Sequence, residues 1–298
     1  MIMLLSWSVA TANEDLIVYK VDNSKGKITP VSIEKSLVKS GYVIPKNRDM
    51  NGPFKKQFQK TIFDTYNLMI AYHEKMATEL VAKHENAGVF VPFSVAIYQK
   101  KGDKFLYVSF LTAKAQSKIL GLTDPLLTSI EKENKKAFLI ALPGAVEEKL
   151  SFSPQATDKK LLTSFEIEVE DDDAEELKDE FEMVLESGLK PIGFIKASFS
   201  AFGMDLEEAK NEDYEFYDAY SLCKLKVIYN VSLVRPEAGA FAPCTLAIYH
   251  KVGTNKTKIV FPNVYNWIST LDLKDKALIK TLEKAQGDIV TLLKSAIE

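Results

Sequence analysis

The passage "NAGVFVPFSVAIYQKKGD" (residues 86–103) returns 151 positions later as "EAGAFAPCTLAIYHKVGT" (residues 237–254). No other feature narrows the possible folds of this chain as much. Ala87, Gly88, Phe90, Pro92, Ala96, Ile97, Tyr98, Lys100 and Gly102 meet Ala238, Gly239, Phe241, Pro243, Ala247, Ile248, Tyr249, Lys251 and Gly253 without a gap. Further on, Phe110 meets Phe261 and Asp124 meets Asp275. Upstream, "FDTYNL" from Phe63 answers "YDAYSL" from Tyr217, which requires a three-residue length difference. "LVKSG" ending at Gly41 answers "VLESG" ending at Gly188. A period near 150 residues indicates tandem domains, because solenoid repeats are far shorter.

Each copy carries the same parts. An alternating strand opens it, "LIVYKV" from Leu16 and "SFEIEVE" from Ser164. A helix follows, capped in the first copy by Thr29 with Pro30 in its first turn, and in the second by Asp172 or Asp173. Gly41 and Gly188 are expected to supply the left-handed residue that stops each helix. Next come a short strand and a variable segment, then the strand containing "DTYNLMIAY" or "DAYSLCKLKVIYN" and a second helix. The repeated passage itself is a hairpin, "VFVPFSVAIY" turning at "KKGDK" into "FLYVSFL". A last helix starts at Asp124 or Asp275. This order predicts an α+β chain of two repeated two-layer α/β sandwich domains, each with a mainly antiparallel sheet. The domains are expected at 13–142 and 162–298, with a Pro-, Gly- and Ser-containing linker at 143–161.

Of the 298 residues 46% are hydrophobic, enough for two cores, and the net charge of −3 argues against a nucleic-acid partner. The charge is uneven, +6 over residues 1–150 and −9 over residues 151–298. Opposite charge would favour docking of one half on the other. No stretch is long enough to span a bilayer as a helix. The first 12 residues run apolar into Ala10-Thr11-Ala12, a small-x-small cleavage signal that lacks a basic lead. They are expected to be the remnant of a signal peptide and to direct export to the periplasm.

"GAFAPC" from Gly239, a glycine, three residues and then Pro-Cys at a strand start, resembles the family called domain of unknown function 302. The resemblance covers both copies. It implies compact α+β domains in which a strand and a helix precede a glycine-x3-Pro-Cys hairpin. The first copy has Phe93 in place of the cysteine. The family's Cys-Asn step ahead of the second helix is matched here to Tyr72-His73 and Tyr229-Asn230.

Chemistry is sparse. There is no phosphate-binding glycine loop, no nucleophile elbow, no zinc spacing and no haem-attachment motif. His73 and His84 are eleven positions apart, about 16 Å along a helix, too far to share an ion. The run "EDDDAEE" fits a helix start better than a calcium site. Neither a catalytic residue nor a metal ligand is assigned. The strand-to-helix steps at Tyr72, His73, Tyr229 and Asn230, facing Phe93 and Cys244, form the candidate ligand site, since a helix start offers free N–H groups.

Three functions follow from these residues. The first is non-catalytic binding of a small molecule or a non-covalent cofactor in a cleft of an internal pseudo-dimer. Non-covalent haem, with His73 or Met76 as axial ligand, is one form of it. The second is a cell-envelope protein-interaction module that offers its acidic half to a basic partner. The third is a thiol-dependent enzyme using Cys244, although Cys223 and Cys244 are more simply small buried hydrophobes.

Overall fold

The computed structural model describes residues 13–169 and 174–297. The expected cleavage signal and the Asp172/Asp173 cap lie outside the described residues. The first repeat runs β1 (Leu16–Asp22), α1 (Pro30–Lys39), β2 (Tyr42–Asp49), α2 (Asn51–Phe58), β3 (Phe63–His73), α3 (Glu74–Lys83), a 3-10 segment (Glu85–Phe90), β4 (Phe93–Lys100), β5 (Phe105–Leu111), α4 (Ala113–Leu120), α5 (Pro125–Ala141) and β6 (Val146–Glu147). The second runs β7 (Leu162–Glu168), α6 (Ala174–Leu189), β8 (Ile195–Ser200), α7 (Phe202–Glu208), β9 (Tyr214–Cys223), α8 (Leu225–Ser232), a second 3-10 segment (Pro236–Phe241), β10 (Cys244–Lys251), β11 (Lys256–Pro262), α9 (Tyr265–Thr270) and α10 (Lys276–Ser295). The sheets are antiparallel, ordered β2-β3-β4-β5-β1-β6 and β7-β11-β10-β9-β8. This is the expected α+β architecture, written twice.

Strand register corrects the upstream alignment. Tyr66 lies opposite Tyr98 and Tyr217 lies opposite Tyr249, so the 151-residue offset holds through β3 and β9. "FDTYN" therefore matches "YEFYD", and no three-residue gap exists there. The length difference lies earlier, where α6 has 16 residues and α1 has 10. A β-rich run offers several passable alignments, and backbone pairing selects one.

The helix ends follow local chemistry. Thr29 accepts from the Ser32 N–H while the Ser32 hydroxyl accepts from the Thr29 N–H, with Pro30 in the first turn. Asp124 and Asp275 cap α5 and α10. Gly41 takes the left-handed conformation at φ +86°. Gly188 does not. It lies inside α6, packed so closely under Leu292 that a side chain there would collide, and the left-handed turn falls at Gly193.

One face of the first sheet carries Ile17, Tyr19, Val95, Ile97, Val108 and Phe110 against Ile33 and Leu37 of α1 and Phe138 of α5. The other face is not open. Leu68, Ala96, Tyr98 and Leu111 are buried with Ala238, Ala240 and Phe241 of the second repeat's 3-10 segment. Reciprocally, Tyr217, Ala247, Tyr249 and Val260 are buried with Ala87, Val89 and Val91 of the first repeat. Each repeat thus covers the other's sheet with the segment that opens the repeated passage.

Equivalent bonds hold the two crossings. Tyr66 donates to the Pro236 carbonyl at 3.0 Å and Tyr217 to the Glu85 carbonyl at 2.5 Å. Ser94 donates to the Pro243 carbonyl at 2.7 Å and Thr245 to the Pro92 carbonyl at 3.1 Å. Val91-Pro92 and Ala242-Pro243 are both cis. Bulk charge does not organise this contact. Lys251 and Lys258, from the acidic half, pair with Glu85 of the basic half.

Under α6, Asp218 is 5% exposed, and burial pushes its carboxyl up to about 6 against the opposing pull of Lys178, 3.7 Å away; Glu182 and Glu175 add to the rise. A folded pKa raised above 3.8 means that the group's contribution is fully present below pH 3.8 and lost as pH rises through about 6. Asp218→Asn removes that loss. Relative to the parent, the variant is expected to gain about 3 kcal/mol between pH 3.5 and 7.5, at about 1.4 kcal/mol per unit. Urea denaturation of both proteins across this range checks it, and parallel pH profiles would refute it.

Candidate functional site

The strand-to-helix step exists in both repeats, but not where the sequence placed it in the second. β3 gives way to α3 at His73, and β9 gives way to α8 at Lys224. The true counterpart of Tyr72-His73 is therefore Cys223-Lys224, and Cys223 is the cysteine ahead of the second helix. Tyr229 and Asn230 lie within α8. The run from Asp218 to Asn230 is apolar enough to pass for one strand. Packing of Val227, Ile228, Tyr229 and Val231 turns its second half into a helix.

The six predicted residues separate into two groups. Tyr72 donates to Asp205 Oδ2 at 2.7 Å and meets the Phe202 ring edge-on, both from α7. Tyr229 stacks on Phe58 at 4.0 Å and meets Phe54 edge-on, both from α2. These tyrosines tie the repeats together. His73 is half-buried and edge-on to Tyr42, and Asn230 is half-buried in α8. Phe93 and Cys244 do come together, with Pro243 and Trp267, around a void of about 30 Å³. That is space for about one water molecule. Burial pushes both the Cys223 and Cys244 thiols up to about 12, which withholds the thiolate a nucleophile needs. Both cysteines are free.

Larger clefts open where each sheet meets the other repeat's 3-10 segment. The first, about 330 Å³, is lined by Tyr98, Lys100, Tyr107, Lys149, Arg235 and Glu237 among others. The second, about 890 Å³, has the equivalent residues Tyr249, Lys251 and Lys258 together with Glu85. Tyr98, which lines the first, donates to Glu237 Oε1 at 3.2 Å, and Tyr249, which lines the second, donates to Asn86 Oδ1 at 2.8 Å. Asn86 and Glu237 occupy the same place in the repeat.

The two clefts differ in how far their polar groups are satisfied. In the second, Lys258 and Lys251 lie 2.6 and 3.3 Å from the Glu85 carboxylate. In the first, Glu237 is 8% exposed and its Oε2 is buried without a hydrogen-bond partner. Burial raises the Glu237 pKa, opposed by its own backbone N–H, the Tyr98 hydroxyl, Arg235 and Lys100. Tyr107 stacks on Tyr98 at 5.2 Å and 8°, and the Arg235 guanidinium lies 4.2 Å over the Phe152 ring. Sequence reasoning passed over Glu237 and Arg235. The available signal was the first position of the repeated passage, where one copy has Asn and the other Glu.

Among the described residues no cluster of His, Cys, Asp and Glu could hold a metal ion, and no helix is long and apolar enough to cross a membrane. His84 is engaged by Asp124 at 2.9 Å, and His250 by Thr257 and the Thr254 carbonyl.

Residues 28–136 match the model of the family described as Domain of unknown function DUF302. Among solved structures, the chain is similar to an uncharacterized conserved DUF302 protein from Bacillus stearothermophilus. Identity is 21% over 47% of this chain and 97% of that one, with a TM-score of 0.34. No curated protein matches. The matched segment spans the first repeat from α1 to α5, and from β2 onward the second repeat has the same elements at a constant offset. The first repeat belongs to the DUF302 family, and the second repeat carries the same fold.

Proposed function

We propose that this chain is a non-catalytic binding protein that holds a small molecule in the Tyr98–Glu237 cleft. One observation carries the reading: Glu237 Oε2 is buried at the cleft and has no partner. An unsatisfied buried polar group costs about 1–3 kcal/mol. A ligand that supplies the missing partner recovers that cost. Among the described residues the opposite cleft has no comparable defect, so the two are not equivalent. In this reading the chain is an internal pseudo-dimer. The first repeat provides the sheet that floors the cleft, and the second provides the 3-10 segment that walls it. The apolar lead into Ala10-Thr11-Ala12 supports action in the periplasm. Haem has no place in this proposal, because neither His73 nor Met76 lines either cleft.

Native mass spectrometry of the chain purified from its own host, with an absorbance spectrum, tests the proposal. The expected result is a small-molecule adduct that is lost from Glu237→Ala. A bare protein mass, or an adduct indifferent to Glu237, would defeat it.

A further inference from the structure

The first cleft has a specific polarity. Lys100, Lys149 and Arg235 line it, and among the described residues none of the three forms an ion pair. Arg235 spends two donors on the Leu271 and Val234 carbonyls, at 2.8 and 3.3 Å, and among the described residues no carboxylate lies within ion-pair distance of it. Of the acids in the wall, Glu148 is paired with Lys20 at 3.3 Å, and Asp103 accepts from the Phe105 N–H at 3.0 Å. Glu237 aside, three cations and one carboxylate, Asp103, line the cleft without an ion pair among the described residues, so the balance is positive.

The Glu237 carboxyl is also oriented. Its Oε1 accepts from Tyr98. With Oε1 accepting, Oε2 is the oxygen that carries the proton whenever this carboxyl is neutral. Oε2 itself has no partner, in a cleft lined by cations without an ion pair and by stacked tyrosines. We infer that the cleft binds the carboxylate of a small organic acid, with Glu237 in its neutral form donating a hydrogen bond to it from the unpartnered Oε2 and Arg235 and Lys100 supplying the opposite charge. The aromatic pair Tyr98 and Tyr107 covers the organic part. A carboxylic acid bonded to a carboxylate is a short, charge-assisted contact, stronger than a neutral pair. The equivalent cleft lacks this chemistry, because its lysines are answered by Glu85 and its Asn86 already accepts from Tyr249.

This inference rests on the binding reading above, and the experiment separates the two. The full chain is titrated by NMR with sodium benzoate, sodium phosphate and putrescine in turn, against sodium chloride at equal ionic strength. Benzoate is expected to give saturable shifts at the amides of residues 98–100 and 235–237, with those near Tyr249 unmoved. Glu237→Gln, which keeps a neutral donor and the side-chain shape, should bind benzoate within about threefold of the parent. Arg235→Gln should weaken it tenfold or more. If putrescine or phosphate saturates the cleft and benzoate does not, the carboxylate inference fails and the binding reading stands. Glu237→Gln abolishing benzoate binding would also overturn the inference, since an ionised Glu237 would then be the recognising form. If none of the three probes moves the cleft amides, both fall.

Discussion

Gly239→Ala is expected to destabilise the chain by about 3 kcal/mol, and Gly88→Ala by a similar amount, at the upper end of overpacking costs. Neither glycine has positive φ, so the demand is for space and not for a left-handed backbone. A Cβ on Gly239 would lie 2.5 Å from Ala96 Cβ and 2.8 Å from Leu68 Cδ2, in the opposite repeat's sheet. Leu68 can rotate, but Ala96 has only backbone behind it. A Cβ on Gly88 would fall inside the Tyr217 hydroxyl. Tyr217 cannot yield, because it is fully buried, stacked on Tyr249 at 5.1 Å and bonded to the Glu85 carbonyl. Gly52→Ala is the control, with nothing within 4 Å of the added methyl. Denaturant unfolding of the three variants decides the matter. Losses below about 0.5 kcal/mol at both Gly88 and Gly239 would mean that the crossings are loose.

These two glycines also explain how far the sequence could be read. Duplication, element order and hairpin were legible because "AG", Pro92/Pro243 and the "AIY" triplets sit at fixed spacing. Their purpose was not. A sandwich strand with one solvent face alternates, whereas "VFVPFSVAIY" is apolar at nearly every position, which indicates burial on both faces. The second cover comes from the other repeat, and only a long-range contact reveals that. The site was half legible. Tyr98 and Tyr249 stood out as a recurring pair, and the neighbourhood of Phe93 and Cys244 was real but packed shut. Tyr72 and Tyr229 proved to be ties between repeats. Glu237 was invisible because a glutamate at the start of a 3-10 turn looks solvated. Its burial depends on Tyr98, 139 positions away.

Separating the repeats should cost more than any point substitution. Residues 13–142 produced alone are expected to aggregate or self-associate, and to form a one-to-one complex when mixed with residues 162–298. Without the second 3-10 segment, Leu68, Ala96, Tyr98 and Leu111 lose their cover, and Ala238, Ala240 and Phe241 lose theirs on the other half. The reciprocal face built on Tyr217 and Tyr249 is stripped at the same time. Each large apolar side chain taken from full burial to water forfeits about 1.5–3 kcal/mol. Several together match the whole net stability of a domain, about 5–15 kcal/mol. The hydrogen bonds from Tyr66, Ser94, Tyr217 and Thr245 to the opposite backbone are lost as well. The first half does keep its helix-covered core of Ile97, Val108, Phe110 and Phe138, so secondary structure should persist while the exposed face seeks a partner. A copy of itself offers the first 3-10 segment in place of the second, and Asn86 would then face Tyr98 where Glu237 belongs. The mixed complex is therefore expected to displace the self-associated form. Sedimentation and native mass spectrometry of each half and of the mixture test this. A first half that is monomeric, cooperatively folded and indifferent to the second would show that the crossed segments decorate two self-sufficient domains and do not complete them.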